Sequence, residues 1–512
     1  TARSLMCIRQ IHVNLAHRRR GRPRRGAGRG AAYTGRMSND APDAAARDAA
    51  AAPAARLSAG IITRYAAGSI GTGGFATLPG LVLTYYLTDS LGVAALAAGV
   101  VITAAKVWDV IIDPVVGALS DRDRIRHGTR RGLMMLGACT IWAFFALTFA
   151  TPAALGPVLG AIWVLVAFLL TATAFSLFQV PYIALPAELT PRYDERTRLL
   201  TWRVVALTLA ILLFGAGGPA LRRVTGGYLV MGIVAGIVLT VGMLVATTVS
   251  AHARAAREDA ALAPGRSVPA PRRDPRSATS GLDIRAHYAE GLAALRRSAP
   301  FRTLLGAYLL QALATGLMLA GAQYVATWVL HSEAAVELLF AALIAPAFLA
   351  APVWGAIANR LGKERTFAYA SVLFALAALS LLGLQFAPGA WAYAPVAVAG
   401  IAYAGMQSLP MAMLPDVISH DERTHGPGRA GAFSGVWTAG ETIGMALGAT
   451  VLSIILAVTG YISSTNDATV TQPDAAVSGI VVSFSVVPAV LIVLSLVALD
   501  RYRLRRSDID AA

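Results

Sequence analysis

Two carboxylates lie four residues apart inside an otherwise apolar stretch of the sequence, at Asp109 and Asp113. A spacing of four places both side chains on one face of a helix. Ionisable groups within a membrane-spanning helix are costly, and they are normally retained for an ion pathway, a proton relay or a counter-ion. We therefore predict that this pair binds a coupling cation, which is either a monovalent metal ion or a proton held between two like charges.

Two basic residues offer a structural explanation of the same aspartates. Lys106 lies about one helical turn before Asp109, and Arg203 follows in a later apolar stretch. These cations could neutralise the carboxylates in a structural cluster, and such a cluster is compatible with cation binding. Both interpretations stay open at this point. We expect H⁺ or Na⁺ as the coupling ion and no cofactor.

The segments that carry these residues are apolar enough to cross a membrane. Hydrophobic residues make up 56% of the chain and charged residues 14%, whereas roughly 25% of a soluble domain is charged. A helix of about 20 apolar residues crosses the hydrocarbon layer. The apolar blocks predict spans at residues 59–87, 93–119, 132–150, 157–183, 201–221, 227–249, 302–330, 335–357, 366–386, 391–413, 431–458 and 477–499.

Basic residues are concentrated in alternate loops. They follow the second, eighth and last spans, and the loops around Asp89, Thr151, Pro388 and Asn466–Pro473 hold almost none. Because Lys and Arg accumulate on the cytoplasmic side of multi-pass proteins, both termini and the long central linker are predicted to be cytoplasmic, in a cell inner membrane. One loop disagrees with this pattern, since Arg222 and Arg223 follow the fifth span.

Short motifs recur in the two halves of the chain. Residues Gly117–Arg122 end the second span and resemble Gly355–Arg360 at the end of the eighth, while Ala184–Pro186 and Met413–Pro415 end the fourth and tenth. Such repeats are typical of transporters whose halves rock about a site near the bilayer midplane. The predicted fold class is therefore an all-α integral membrane protein with two six-helix bundles.

The predicted organisation has five parts: an N-terminal segment 1–57, a bundle 58–250, a cytoplasmic linker 251–299 with an amphipathic helix, a bundle 300–500 and a tail 501–512. Residues 1–36 hold ten arginines and no acid, and they account for most of the net charge of +16. This composition predicts disorder. We interpret 1–36 as upstream sequence outside the working protein rather than as a nucleic-acid or lipid-binding arm, and we expect no nucleic-acid partner.

Several motifs match one group of transporters. Lys106–Arg122 resembles the second-helix signature of the glycoside–pentoside–hexuronide:cation symporters of the major facilitator superfamily. Val180–Arg203 resembles that family's fourth helix with the loop after it, and Met413–Asp416 and Gly435–Thr438 resemble its tenth and eleventh helices. The resemblance covers most of the chain, and it implies the major facilitator fold and cation-coupled symport.

The resemblance also assigns residues to a cation site. It implies that Asp109 and Asp113 bind the coupling ion, with a hydroxyl group from Ser176. An asparagine that the family places between the aspartates is Ile112 here. Loss of a neutral amide ligand disfavours a sodium site more than a proton site, so this substitution favours protons.

Sugar-binding residues of the family are replaced. Its first-helix acid aligns with Gly73, its fourth-helix aspartate with Gln179 and its tryptophan with Ile183. Carboxylates bind hydroxyls through charge-assisted hydrogen bonds, so this cavity is less polar and a typical sugar substrate is not expected. Gly73 also belongs to a glycine run whose other explanation is close helix packing. Further cavity candidates are Tyr86, Gln311, Trp437 and Thr442. For Gln311 and Trp437, interhelical hydrogen bonding is the alternative.

Charged residues outside the aspartate pair form two further predicted groups. Thr442 occupies the position of a family lysine, and the adjacent Glu441 is assigned with Lys106 and Arg203 to a charge network. A second group at the span ends is predicted to hold the bundle ends together and to favour one gate state. Its members are Asp121, Arg122, Asp194, Glu195, Arg196, Asp421 and Arg423.

Three functions remain in competition. The leading hypothesis is a monomeric cation-coupled secondary transporter of a small organic solute, with the lipid bilayer as its other partner. The second is uptake or export of a lysolipid or another amphipathic metabolite by the same fold, and the third is a sensor or scaffold that transports nothing. The carboxylate pair and the repeat argue against the third. The sequence has no Walker-type phosphate loop for an ATP-driven pump, and we do not expect an enzyme.

Overall fold

The computed structural model describes residues 57–190, 193–252, 295–425, 430–465 and 470–502. In these ranges, twelve helices are long and apolar enough to cross a membrane. The predicted N-terminal segment up to residue 56, nearly all of the predicted linker helix and the tail beyond residue 502 lie outside the described residues.

The first six spans are single helices. They are α1 (Ala59–Tyr85, continued by a π-helical turn at Tyr86–Ser90), α2 (Ala95–His127), α3 (Arg131–Thr148), α4 (Gly156–Leu189), α5 (Tyr193–Thr225) and α6 (Tyr228–Thr247). The second six are α7 (Ala299–Tyr324, continued by a π-helical turn at Val325–Val329), α8 (Ala335–Leu361), α9 (Lys363–Ser380), α10 (Tyr393–His425), α11 (Ala430–Val458) and a final span made of α12 (Asp474–Phe484) and α13 (Val486–Asp500).

Several helices run further than the apolar blocks predict. The predicted second span ends at residue 119, but α2 continues to His127; α4 and α10 likewise continue to Leu189 and His425. A helix satisfies its own backbone hydrogen bonds, so it can project beyond the hydrocarbon layer with charged side chains on its last turns. The charged motifs at the span ends are therefore helical, and their side chains have fixed directions.

Helix packing repeats between the halves. In the first half α1 packs along α5, and α4 packs against α2 and α3; in the second half α7 packs along α11, and α10 against α8 and α9. Small residues allow the close approach: a Cβ atom on Gly73 of α1 would lie 2.8 Å from the Ala210 Cβ of α5, and one on Gly444 of α11 would lie 2.8 Å from the Ala312 Cβ of α7. The two six-helix bundles predicted from the repeat are confirmed.

The hydrogen bonds that join the two bundles cluster at one end of the molecule. After α1, the Thr88 hydroxyl lies 2.7 Å from the Tyr324 hydroxyl, and the Thr88 carbonyl accepts from the Ser464 backbone amide at 2.9 Å. The Tyr461 hydroxyl donates to the buried carboxylate of Asp89. We call this the closed end, and the opposite end, where α2 finishes and α5 starts, the open end.

Ion pairs and helix contacts reinforce the closed end. Arg222 and Arg223, at the end of α5, pair with Glu333 at 3.0 Å and Glu337 at 3.1 Å across the two halves. These arginines are the ones that disagreed with the charge bias of the loops. Because each pairs with a carboxylate, neither marks the side of the membrane on its own.

Candidate functional site

The aspartates on α2 have different surroundings. Asp109 is buried, and its Oδ2 atom forms an ion pair with Lys106 Nζ at 3.0 Å. Its Oδ1 atom is buried without a hydrogen-bond partner among the described residues. Asp113 is exposed and accepts a hydrogen bond from the Ser176 hydroxyl of α4 at 2.6 Å. The structure thus brings Ser176 into contact with Asp113 and places Asp109 one helical turn away, with one of its carboxylate oxygens unpartnered. Ion binding by these residues stays a prediction.

Helix α4 holds this face through side chains at helical spacing. Trp108 Nε1 donates to Thr173 at 2.9 Å, and Thr72 of α1 donates to Gln179 at 2.8 Å. Thr173, Ser176 and Gln179 are three residues apart, so they share one face of α4. That face therefore connects the predicted cation site on α2 to the predicted substrate residue Gln179.

Arg203 does not contact the aspartates. Its guanidinium carbon lies 5.5 Å from the centre of the Tyr182 ring, which stacks on the Tyr65 ring with centroids 4.7 Å apart. No carboxylate pairs with Arg203 in the part of the chain that the structure covers. Of the two basic residues in the predicted charge network, Lys106 pairs with an aspartate, and Arg203 does not pair with any described one.

Glu441 on α11 lies in a separate cluster within the second bundle. The Tyr308 hydroxyl of α7 is 2.8 Å from Glu441 Oε1 and 2.9 Å from Gln407 Oε1 of α10. Gln407 also donates to the Tyr403 hydroxyl at 2.9 Å. The Trp437 ring stacks on Tyr308 with centroids 4.4 Å apart. This hydrogen-bonded chain fixes the carboxylate of Glu441 without neutralising it.

Four of the predicted cavity residues are buried in contacts between helices, two of them in the first bundle. Gly73 is buried against α5, because consecutive helix positions differ by about 100° and its neighbour Thr72 takes the direction of Gln179. Tyr86 is buried among Phe149 and Tyr228 at the closed end.

The other two are buried in the second bundle. Gln311 donates to Ser371 of α9 at 2.9 Å and to Ser495 of α13 at 3.0 Å, which is the interhelical alternative. Trp437 is only 2% exposed, behind Tyr308. By contrast, Ile183 is 51% exposed one turn beyond Gln179, and Thr442 is half-buried. These two positions stay compatible with a cavity.

The predicted gate group of the first bundle is centred on Arg130 and Glu188, which the predicted group did not include. Buried Arg130 pairs with Glu188 of α4 at 2.9 Å and with Asp121 of α2 at 2.6 Å, and it donates to Ser120 at 2.6 Å. Burial alone would lower the pKa of Arg130, but its hydrogen bonds to Glu188 and Asp121 raise it. Arg122, by contrast, is exposed and contributes no ion pair with another described residue.

The remaining predicted gate residues are divided between the bundles. Glu195 accepts from the Leu57 backbone amide at 3.1 Å, and Arg196 donates to the Thr190 carbonyl at 3.2 Å. In the second bundle Asp421 is buried and pairs with Arg297 at 3.3 Å, while Arg423 is exposed. The side chain of Asp194 lies outside the described residues. Each of these contacts joins two residues of the same bundle, so it stiffens the open end of that bundle.

A similar ion pair lies in the second bundle, and we call it and the Arg130–Glu188 pair the open-end clamps. The sequence analysis predicted neither pairing. Lys363, which begins α9, pairs with Asp416 of α10 at 2.6 Å. Its position relative to the Met413–Pro415 motif corresponds closely to that of Arg130 relative to Ala184–Pro186. The repeat was therefore the signal that could have found both clamps, because in each half a basic residue starts the third helix and an acid follows the proline of the fourth.

Comparisons with known proteins agree with this arrangement. The sequence profile described as MFS/sugar transport protein matches residues 64–506. The putative glycoside/cation symporter YagG of Escherichia coli is 25% identical, over 84% of this chain and 88% of its own. The sodium-dependent lysophosphatidylcholine symporter 1 of Mus musculus is 24% identical, over 73% of each chain. The crystal structure of the nucleoside transporter NupG superposes with a TM-score of 0.58, at 10% identity, over 87% of this chain and 99% of its own.

Two helical bundles that meet at one end, with charged groups between them, define a secondary transporter of the major facilitator fold. It is a multi-pass membrane protein for a small-molecule substrate, not an enzyme. The chain belongs to the MFS/sugar transport protein family, which confirms the resemblance to the glycoside–pentoside–hexuronide:cation symporters.

Proposed function

We propose that the protein is a cation-coupled symporter in which Asp109, Asp113 and Ser176 bind the coupling ion. The observation that carries the proposal is the buried, unpartnered Oδ1 atom of Asp109, one helical turn from the exposed carboxylate of Asp113. A cation at this position would satisfy both carboxylates. An unsatisfied carboxylate oxygen in a membrane protein is otherwise costly, so its retention favours a functional role.

Coupling requires that the ion binds the two gate states with different affinity. Asp113 and Ser176 lie on α2 and α4, near the middle of α2, and the contacts between the bundles lie nearer the closed end. Rocking that closes the open end would change the surroundings of Asp113. The charge bias of the loops favours a cytoplasmic open end in a cell inner membrane, so this structure corresponds to an inward-facing state.

The coupling ion is proposed to be a proton. Ile112 lies between the aspartates, and its side chain offers no oxygen to a metal ion. Carboxylates and a single hydroxyl are sufficient for a proton, whereas a sodium cage needs several neutral oxygen ligands. YagG is named as a cation symporter and the mouse relative as a sodium-dependent symporter. We therefore expect this chain to use a different coupling ion from the mouse relative.

Gradient-driven uptake into proteoliposomes tests the proposal. An imposed proton gradient should drive accumulation of a transported solute from a radiolabelled panel, and a sodium gradient alone should not. The isosteric change Asp113→Asn should abolish accumulation but preserve downhill exchange. A matched control is Asp474→Asn at the start of α12, which should transport like wild type. Full gradient-driven uptake by Asp113→Asn would contradict the assignment.

An amphipathic substrate is the second candidate. An apolar groove of about 440 Å³ runs along α2 and α11, lined by residues that include Val100, Val107 and Thr450. Val100 and Val107 are 62% and 52% exposed, so the groove is open along its side. Such an apolar groove could hold an acyl chain, and one relative is named as a lysophosphatidylcholine symporter. Val107→Trp should fill this groove. A loss of lysolipid uptake with unchanged uptake of small polar solutes would support this candidate.

A further inference from the structure

Two acceptors in the cluster around Glu441 share a single hydroxyl donor. The Tyr308 hydroxyl lies within 2.9 Å of both Glu441 Oε1 and Gln407 Oε1, but a hydroxyl carries one hydrogen and donates to only one of them. Glu441 has no cationic partner among the described residues. A half-buried carboxylate on a membrane span in such surroundings is suited to a ligand that brings N–H donors and positive charge.

The charged side chains in the middle of α2, α5 and α11 fall into two groups, those with an oppositely charged partner and those without one. Lys106 neutralises Asp109 at 3.0 Å. If the proposed function is correct, the coupling ion neutralises Asp113. Away from the closed end, where Asp89 accepts from Tyr461, Arg203 and Glu441 then remain, one positive and one negative. Neither has an oppositely charged partner in the described ranges.

These two unbalanced charges lie at similar depth in opposite bundles. Arg203 is ten residues into α5 and Glu441 eleven residues into α11, each counted from the open end, which is about 15 Å along each helix axis. Both helices contact the other bundle nearer the closed end, where Gly215 of α5 approaches Phe340 and Ser453 of α11 approaches Gly99. Both helices therefore border the space between the bundles.

We propose that the substrate carries both a positive and a negative group, with the positive group bound by Glu441 and the negative group by Arg203. Tyr308 and Gln407 position the Glu441 carboxylate, and the Tyr182 ring positions the Arg203 guanidinium. The inference rests on the proposed transport function, and it narrows the substrate class to amphoteric organic solutes. Such a substrate would touch both bundles, so its binding would favour their closure around it.

Ligand-induced thermal stabilisation of the purified full-length protein tests this inference without an uptake assay. The probes are four sets of small organic solutes at pH 7: amino-carboxylate zwitterions, amines, carboxylates, and neutral polyols and sugars. The inference predicts that stabilising probes come from the zwitterion set. Glu441→Gln should weaken their binding at least about tenfold, because one charge-assisted contact is lost. Glu441→Gln keeps the acceptor for Tyr308, so folding should be preserved.

Paired variants separate the two charges. Arg203→Gln should also weaken zwitterion binding, and Tyr308→Phe should have a smaller effect, since it only frees the carboxylate. Glu364→Gln, at the start of α9, is the matched control and should bind like wild type. Stabilisation by neutral sugars but not by zwitterions, an absence of any zwitterion hit, or unchanged binding in Glu441→Gln would each overturn the inference.

The outcome also separates this inference from the proposed function. Zwitterion binding that depends on Glu441, without gradient-driven uptake of the same probe, would contradict coupled transport and leave the substrate class standing. Gradient-driven uptake of a neutral sugar that Glu441→Gln does not alter would contradict the substrate class and leave coupled transport standing.

Discussion

Aligning Gly117–Arg122 with Gly355–Arg360 places Asp109 of α2 opposite Ala347 of α8, and Asp113 opposite Ala351. The exposures match as well: Asp109 and Ala347 are buried, whereas Asp113 and Ala351 are exposed. The helix frame is thus repeated, but the carboxylates are present only in the first half.

The fourth helix of each half shows the same contrast. Both α4 and α10 carry two prolines five residues apart within the helix, at Pro181 and Pro186 and at Pro410 and Pro415. The position of Ser176, however, is Gly405 in the second half. Backbone features that shape the helices are therefore common to both bundles, and the groups that could bind an ion are not.

The ion pairs at the open end are also common to both bundles. Arg130 pairs with Glu188 in the first bundle, and Lys363 pairs with Asp416 in the second. The repeat thus supplies helix prolines and open-end ion pairs to both bundles, whereas the proposed ion site lies in one of them. A gradient can bias rocking as long as one bundle senses the ion, because only the difference in affinity between the two states matters.

The largest expected effect comes from making the first bundle resemble the second. Asp109→Asn leaves Lys106 without its carboxylate, which should cost about 2 kcal/mol of stability and abolish coupled uptake. Adding Lys106→Gln removes the unpaired charge, as in the second half, where the matching position is Ile344. Thermal unfolding should then return to the wild-type midpoint while gradient-driven uptake stays absent.

That double variant also decides between the two interpretations of the aspartates. Lys106→Gln alone serves as the control, since it leaves Asp109 charged. Recovery of gradient-driven uptake in the double variant would show that Asp109 only neutralises Lys106, and the coupling role would then fall to Asp113.

The sequence was sufficient to predict the twelve membrane spans and the residues of α2 and α4 that lie together. Apolar length predicts spans because no water solvates a backbone within hydrocarbon, and the four-residue spacing of Asp109 and Asp113 places them on one helix face. Ser176 was reached through a family motif rather than through physical reasoning.

Side-chain direction within apolar helices was the part that the sequence could not supply. Gly73, Tyr86 and Gln311 lie in spans whose residues are apolar on every side, so periodicity does not separate a packed face from a cavity face. The pairing of Arg130 with Glu188 was missed for a different reason. The two residues are 58 positions apart, so local spacing does not connect them, and the comparison of the two halves was the sequence signal that points to their contact.

A second pair of variants compares how much each of the two open-end ion pairs contributes to stability. Arg130→Gln removes a buried cation that pairs with both Glu188 and Asp121, and Arg124 remains 3.5 Å from Glu188, so a loss of about 2–3 kcal/mol is expected. Lys363→Gln breaks a pair whose lysine side chain is 40% exposed, and it should cost at most about 1 kcal/mol. Denaturation of the purified variants in one detergent checks the order. Equal losses would show that exposure does not distinguish the bundles.

The smallest effect is expected at the closed end, where the two bundles meet instead of mirroring each other. Arg223 and Glu337 are both partly exposed, so their ion pair contributes only about 0.2–1 kcal/mol. Arg223→Glu should nevertheless favour opening of this end, because two carboxylates would then face each other, and Glu337→Arg in the same chain should restore the pair with reversed charge.

The readout is maleimide labelling of a cysteine introduced at Ser464, next to Thr88, in a chain without Cys7 and Cys139. Labelling should rise in Arg223→Glu and return to the starting rate in the charge-swapped chain. A labelling rate that follows neither change would show that the hydrogen bonds of Thr88 and Asp89, rather than the arginine pairs, hold the bundles closed.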